Sequence, residues 1–238
     1  MIQTKKQKLS QSKKQKLSQS KKQKLSQSKK QKLSQSNTFK TITYTSIKPT
    51  RESHKYGKLK FKDYPEFTPN LTPKDILQMG SFGGTYFRPI YSTITHKNYE
   101  NVYKEFPKKW YKNLDIIKYI TSNVCYPEVN TYKVSAGSSL KAWEKSNWIR
   151  AQDPYGWFQW YCRFYIGRRS PDDERQINRW LNYAGEKRGR FRRNLITKCI
   201  KQNKPYNDTS VSPVIRQGLQ QWAYILTQSD FNLSKKNM

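Results

Sequence analysis

Acidic residues are scarce in this chain, 16 of 238 against 47 lysines and arginines, and none precedes Glu52. A formal net charge of +31 opposes compaction unless counterions or a polyanion screen it. It points to nucleic acid, an anionic membrane or another acidic polymer as partner. Cysteine and histidine are equally thin. Cys125, Cys162 and Cys199 are far apart, no CxxC pair occurs, and His54 and His96 are the only imidazoles. That pattern argues against a disulfide framework and a zinc site, implies reduced thiols, and gives hydrolase chemistry little support. No run approaches the ~18 apolar residues of a membrane span, and the N-terminus has no apolar signal core. The expectation is a soluble, unsecreted, intracellular protein with no membrane span and no cofactor, with nuclear or virion association left open.

The charge is unevenly placed. Residues 1–51 carry fifteen bases and no acid, twelve of them lysines of a repeat; residues 52–238 carry the remaining +16. The repeat is four octads of the form (S/T)KKQKLSQ, from Thr4 to Gln35. On a helix, Leu9, Leu17, Leu25 and Leu33 would each advance roughly 80° beyond whole turns, so they would wind around the cylinder and form no seam. One leucine in eight residues does not offset ordering entropy, and residues 1–50 read as a disordered Lys-rich tail. Neutral expansion of a DNA repeat into a tolerated terminus is the first reading of the octads, non-specific phosphate neutralisation by the lysines the second, and KKQK as a short basic import pattern the third. Phosphorylation of the repeated serines would cancel charge beside each lysine cluster.

Residues 51–230 read as a single compact domain, mainly α with a few short strands, with its core at about 66–228. All seven tryptophans fall in that core range. Thr72, Pro73 and Asp75 mark a short helix ending near Gly80, and Ser139 caps another through Trp143. Asp153 and Pro154 open a third to about Tyr165, closed by Gly167. Ser170 and Pro171 open a fourth to Ala184, with Ile177, Trp180, Leu181 and Ala184 at helical spacing. A fifth spans about Arg190–Gln202, and Ser212 and Pro213 open a sixth that carries Leu219, Trp222, Ala223 and Leu226 on one face. Thr85–Thr95 and Asn130–Val134 are strand candidates.

Three stretches are candidates for function. Gly80-Ser81-Phe82-Gly83-Gly84-Thr85 follows a helix and lacks the Lys of a phosphate loop, so it reads as a tight turn. In Asp153–Arg169, seven aromatics within eleven residues occupy every face of a helix. Burial at the centre of the domain is the first reading, with Cys162 an inert thiol. A platform of Trp157, Trp160 and Tyr161 for stacking unpaired bases is the second. The segments MGSFGGTYFRP, EFPKKWY, WIRAQDPYGWFQWYCRFYIGRR, DDERQINRW and QGLQQWAY, over about residues 71–225, together resemble a family of small uncharacterised proteins from bacteria, phages and large DNA viruses. The resemblance implies no activity, ligand or catalytic residue, and it leaves the octads outside the shared region. The abundance of AT-rich codons agrees with a viral genome.

The third stretch holds nine of the thirteen arginines: Arg163, Arg168, Arg169, Arg175, Arg179, Arg188, Arg190, Arg192 and Arg193. Arginine chosen over lysine suggests forked recognition of phosphate or base edges, and the last four crowd the start of a helix, where the macrodipole favours anions. Helices 171–184 and 190–202 have the outline of a helix-turn-helix. Internal pairing with Asp172, Asp173, Glu174 and Glu186 is the competing reading, and still leaves +6 between 163 and 193. Asp172, Asp173 and Glu174 form an alternative Mg²⁺ site for a nuclease, set against their expected role as acids in a first helical turn. The leading expectation is a non-enzymatic nucleic-acid-associated protein, binding DNA or RNA through phosphate in packaging or regulation. A metal-dependent nuclease and a structural virion protein are the alternatives.

Overall fold

The computed structural model describes residues 41–236, so the octads and the disorder expected of them lie outside the described residues. The described elements fall almost wholly in the unit Thr43–Met238. It is mainly α-helical: α1 Pro73–Gln78, α2 Ile116–Tyr119, α3 Leu140–Lys145, α4 Trp157–Tyr165, α5 Asp173–Tyr183, α6 Arg190–Lys201, α7 Pro213–Gln221 and α8 Gln228–Lys236. Three antiparallel strand pairs accompany them: β1 Thr43–Tyr44 with β6 Arg168–Arg169, β2 Thr50–Arg51 with β3 Leu59–Lys60, and β4 Ile90–Ser92 with β5 Lys97–Tyr99. The β1 and β2 pairings place ordered structure before the expected boundary at residue 51.

Side-chain caps explain the starts of α1, α2 and α3, whereas Ser212 takes φ +50 and does not cap α7. Thr72 and Asp75 form a reciprocal capping box, and Pro73 sits at N1 of α1, where its missing N–H costs nothing. Ser139 caps α3 through Ala142 N. Helix α4 begins three residues later than the Asp153-Pro154 signal implies. Asp153 is fully buried and ion-paired with two arginines, so its carboxylate is not spent on a cap, and the chain turns through Gly156 before the helix forms. Helix α5 begins at Asp173 rather than Pro171. Helix α7 stops at Gln221, because Ala223 takes φ +58; Leu226 therefore lies beyond the helix. Helices α2 and α8 were not signalled by the pattern of apolar residues.

The strand candidates shrink. Within Thr85–Thr95 only Ile90–Ser92 is extended, and Asn130–Val134 is a turn closed by the Asn130 side chain, whose Nδ2 donates to Val134 O at 2.8 Å. The glycine-rich segment is a turn, as its order after a helix implies. It is held by Gly83 N to Gly80 O at 2.9 Å, Ser122 N to Gly84 O at 3.0 Å and Tyr126 N to Gly83 O at 2.9 Å.

The core is built around α4. Trp157, Phe158, Trp160, Tyr161, Cys162 and Phe164 are all buried, and each large side chain removed from water contributes about 1.5–3 kcal/mol. Phe67 packs edge-on against Tyr161, Phe164 and Trp180 at 5.1–5.8 Å between ring centroids. Phe82, Tyr86 and Phe87 cover Phe158. Gly84 is required where the turn meets α2: its φ is +87, and a Cβ there would lie 1.9 Å from Lys118 O. Gly84→Ala is expected to cost at least about 2 kcal/mol, through positive φ and a backbone clash together. An unchanged urea midpoint would contradict this packing.

Candidate functional site

The structure takes much of the arginine cluster inside. Arg163 grips Glu105 through two nitrogens at 2.6–3.0 Å and Asp153 at 3.0 Å. Arg168, buried in β6, pairs with the other oxygen of Asp153 at 2.5 Å. Arg169 pairs with Asp63 at 2.5 Å and lays its guanidinium 3.9 Å from the centre of the Phe164 ring. Arg192, also buried, pairs with Asp230 at 2.9 Å and sits over Tyr224. Arg175 pairs with Asp172 at 2.5 Å, and Arg188 donates to Asn178 Oδ1 at 2.7 Å.

The nine arginines therefore do not converge on one external face. Internal pairing is the physical reason, but mostly with acids remote in sequence. Asp63, Glu105, Asp153 and Asp230 neutralise arginines, whereas of the four nearby acids only Asp172 does so. Glu186 instead pairs with Lys58 at 3.0 Å.

The proposed stacking trio is corrected in the same way. Trp160 and Tyr161 are fully buried, with Trp160 Nε1 donating to Asp173 Oδ1 at 2.8 Å and Tyr161 OH to Leu71 O at 2.7 Å. Neither presents a face to a ligand; only Trp157 reaches a groove wall. The three candidate metal carboxylates also part company. Asp173 is buried and accepts from Ser170 N, Ser170 Oγ and Trp160, while Asp172 faces Arg175 and Glu174 points to solvent. Burial pushes the Asp173 carboxyl up from its ordinary value against those hydrogen bonds. Among the described residues no three such ligands gather. Burial likewise pushes the Cys162 thiol well up, which leaves it unreactive.

Arg179, Arg190, Arg188 and Arg193 have no ion-pair partner among the described residues, although Arg179 donates to Gln176 Oε1 at 2.9 Å. The first two line a groove of about 460 Å³, within the range of small-ligand sites. Helix α5 supplies Arg179, Asn182 and Tyr183, which fall at i, i+3 and i+4 and so share a face. The start of α6 supplies Arg190 and Phe191, the end of α7 supplies Gln221 and Trp222, and Trp143 and Trp148 also line the groove.

The planar groups form a column. The Arg179 guanidinium lies between Trp148 at 5.3 Å and Trp222 at 5.2 Å. Trp222 stacks on Tyr183 at 4.7 Å and 13°, Tyr183 stacks on Phe191 at 4.2 Å, and Arg190 covers Phe191 at 4.9 Å. Trp148, at one end, is 45% exposed. Burial, with Arg175 nearby, lowers the Arg179 pKa to about 10, a sign that its charge is under-compensated within the fold.

No carboxylate, cysteine or histidine lines the groove. The lining offers no carboxylate to a cation, and its rings and two guanidiniums suit a ligand that is both planar and anionic. A neighbouring cavity of about 360 Å³ shares the wall of Phe82, Tyr86 and Trp143 and extends to Arg88. Trp148, Tyr183, Phe191 and Trp222 were missed as site residues because each reads as a core aromatic. The usable signal was Arg179 and Tyr183 at i, i+4 on α5. Comparison with protein-family profiles, curated proteins and solved structures finds no match.

Two arginines of the same cluster should respond very differently to loss of charge. Arg192→Met leaves Asp230 buried without its cation and should cost about 3–5 kcal/mol. Arg179→Met removes a charge that lacks a carboxylate and should change stability by less than about 1 kcal/mol. Equal losses in urea denaturation would show that Arg179 is structural.

Proposed function

We propose that the protein binds single-stranded nucleic acid without catalysing a reaction on it, taking an unpaired base into the aromatic groove. The observation that carries this reading is the composition of that groove: stacked tryptophan and tyrosine rings, two arginines without acidic partners, and no carboxylate in the lining. A nucleotide combines a π face with a phosphate, the two features this lining complements. Stacking of a base on an aromatic ring is worth about 1–3 kcal/mol and tolerates any base. Arg179 and Arg190 are set to meet the flanking phosphates, and the adjoining cavity toward Arg88 offers a path for the next nucleotide.

Major-groove reading of a duplex is less well supported. Its recognition helix would be α6, yet Arg192 at its start is turned into the core and paired with Asp230, leaving Arg190 and Arg193 exposed there. The nuclease alternative loses its carboxylate cluster for the reasons given above. Packaging and regulation share the same binding chemistry, and the family resemblance adds no ligand to either.

Tryptophan fluorescence should be quenched by a short single-stranded oligonucleotide, with affinity falling as salt rises. Trp148→Ala and Arg179→Ala should each weaken binding about five- to fifty-fold, within the energy of one stacked base or one charged contact. Absence of quenching, or tighter binding of the duplex that is indifferent to both substitutions, would overturn the proposal.

A further inference from the structure

We infer that a second surface, separate from the aromatic groove, holds the phosphate backbone of the bound strand by charge alone: the shallow groove of Tyr103, Lys104, Lys108, Lys109, Tyr111 and Lys112. This rests on the nucleic-acid reading above. Its basis is a set of lysines that the fold exposes and leaves unneutralised.

Two short 3₁₀ turns, Val102–Glu105 and Lys108–Trp110, carry the segment. Val102, Phe106 and Trp110 bury it, with Phe106 stacked on Trp110 at 5.6 Å and 11°. Gln78 Nε2 adds hydrogen bonds to Trp110 O at 3.0 Å and Lys112 O at 3.2 Å. With the apolar residues pinned inward, Lys104, Lys108, Lys109 and Lys112 are all exposed and line one groove of about 740 Å³. Tyr103 and Tyr111, edge to face at 5.2 Å, line the same groove.

The acid within the run is already paired, and the flanking carboxylates Glu100 and Asp115 form no ion pair with these lysines among the described residues. Glu105, within the run, is held by three contacts from Arg163, and Asp115 caps α2 by accepting from Lys118 N at 3.1 Å. None of the four lysines has an ion pair among the described residues. Four like charges within nine residues repel one another, and a polyanion relieves that cost.

Lysine also differs from the arginines of the aromatic groove in what it reads. An ammonium is a point charge without forked geometry, so this surface attracts phosphate regardless of sequence and leaves base contact to the rings. An anionic lipid headgroup offers similar charge, but the groove has no aliphatic side chain beyond Ile116 to insert. The exposed Ile117 beside it is a single residue.

The test uses the full chain, wild type and with Lys104, Lys108, Lys109 and Lys112 changed together to Gln. Binding is measured to a thymidine dinucleotide and to a 20-nucleotide oligothymidylate over a salt series, and to phosphatidylserine vesicles. The expected result is unchanged quenching by the dinucleotide, with at least a tenfold loss of affinity for the long strand at low salt. The log–log salt slope should fall by up to about 2.8, four single-strand phosphate contacts at 0.7 each. An unchanged slope in a wild type that does bind would overturn the second surface alone, as would a loss confined to vesicle binding. Parallel loss of dinucleotide quenching would show that the two surfaces are not separate. Failure of the wild type to bind either nucleic acid would sink the underlying reading.

Discussion

Helix α4 buries seven of its nine residues, with only Arg163 and Tyr165 partly exposed, and that constraint organises the described structure. Six of its nine residues are large or thiol-bearing apolar side chains that are buried, so neighbours must cover most of it. Phe67, Phe82, Tyr86, Phe87 and Trp180 supply rings. Charged groups complete the cover at its ends, where Arg169 lies on Phe164 and Asp173 receives Trp160. Polar groups so placed are tolerated only when paired, and Asp153, wedged between Arg163 and Arg168, shows the same requirement.

The same demand separates two populations of arginine. Those that complete the cover are matched to a carboxylate, and their charge is consumed by the fold. Arg179 and Arg190 flank rings at the edge of the cover, where Trp157 meets Trp222 at 4.6 Å, and neither forms an ion pair among the described residues. Arg179 within the column of planar groups and Arg190 at its end are cations without an ion-paired carboxylate, and the proposed planar, anionic ligand would supply the missing charge. The lysines of 104–112 extend that contrast to the surface, where Glu105 is already held by Arg163.

Much of the helical layout was legible because it depends on nearest neighbours. The Thr72-Pro73-Asp75 cap, the Ser139 cap and the periodicity of Ile177, Trp180 and Ala184 all act within one or two turns. The burial of α4 followed from apolar residues on all its faces. What failed depends on distance. Asp153 resembles an N-cap until Arg163 and Arg168 fold back on it, and Arg192 resembles a phosphate ligand until Asp230 arrives from the last helix. The groove was hidden for a related reason, since Trp148 and Trp222 are apolar in sequence and gain a functional reading only when Arg179 is seen between them.

Photo-crosslinking tests the central claim most directly. A single-stranded oligonucleotide carrying 4-thiothymidine, irradiated in complex with the full chain and mapped by mass spectrometry, reports which side chains touch the base. The account predicts adducts on the peptides bearing Trp148, Tyr183 or Trp222, lost when excess unmodified strand competes. Adducts confined to the octads or to residues 104–112, with none in the aromatic groove, would contradict it.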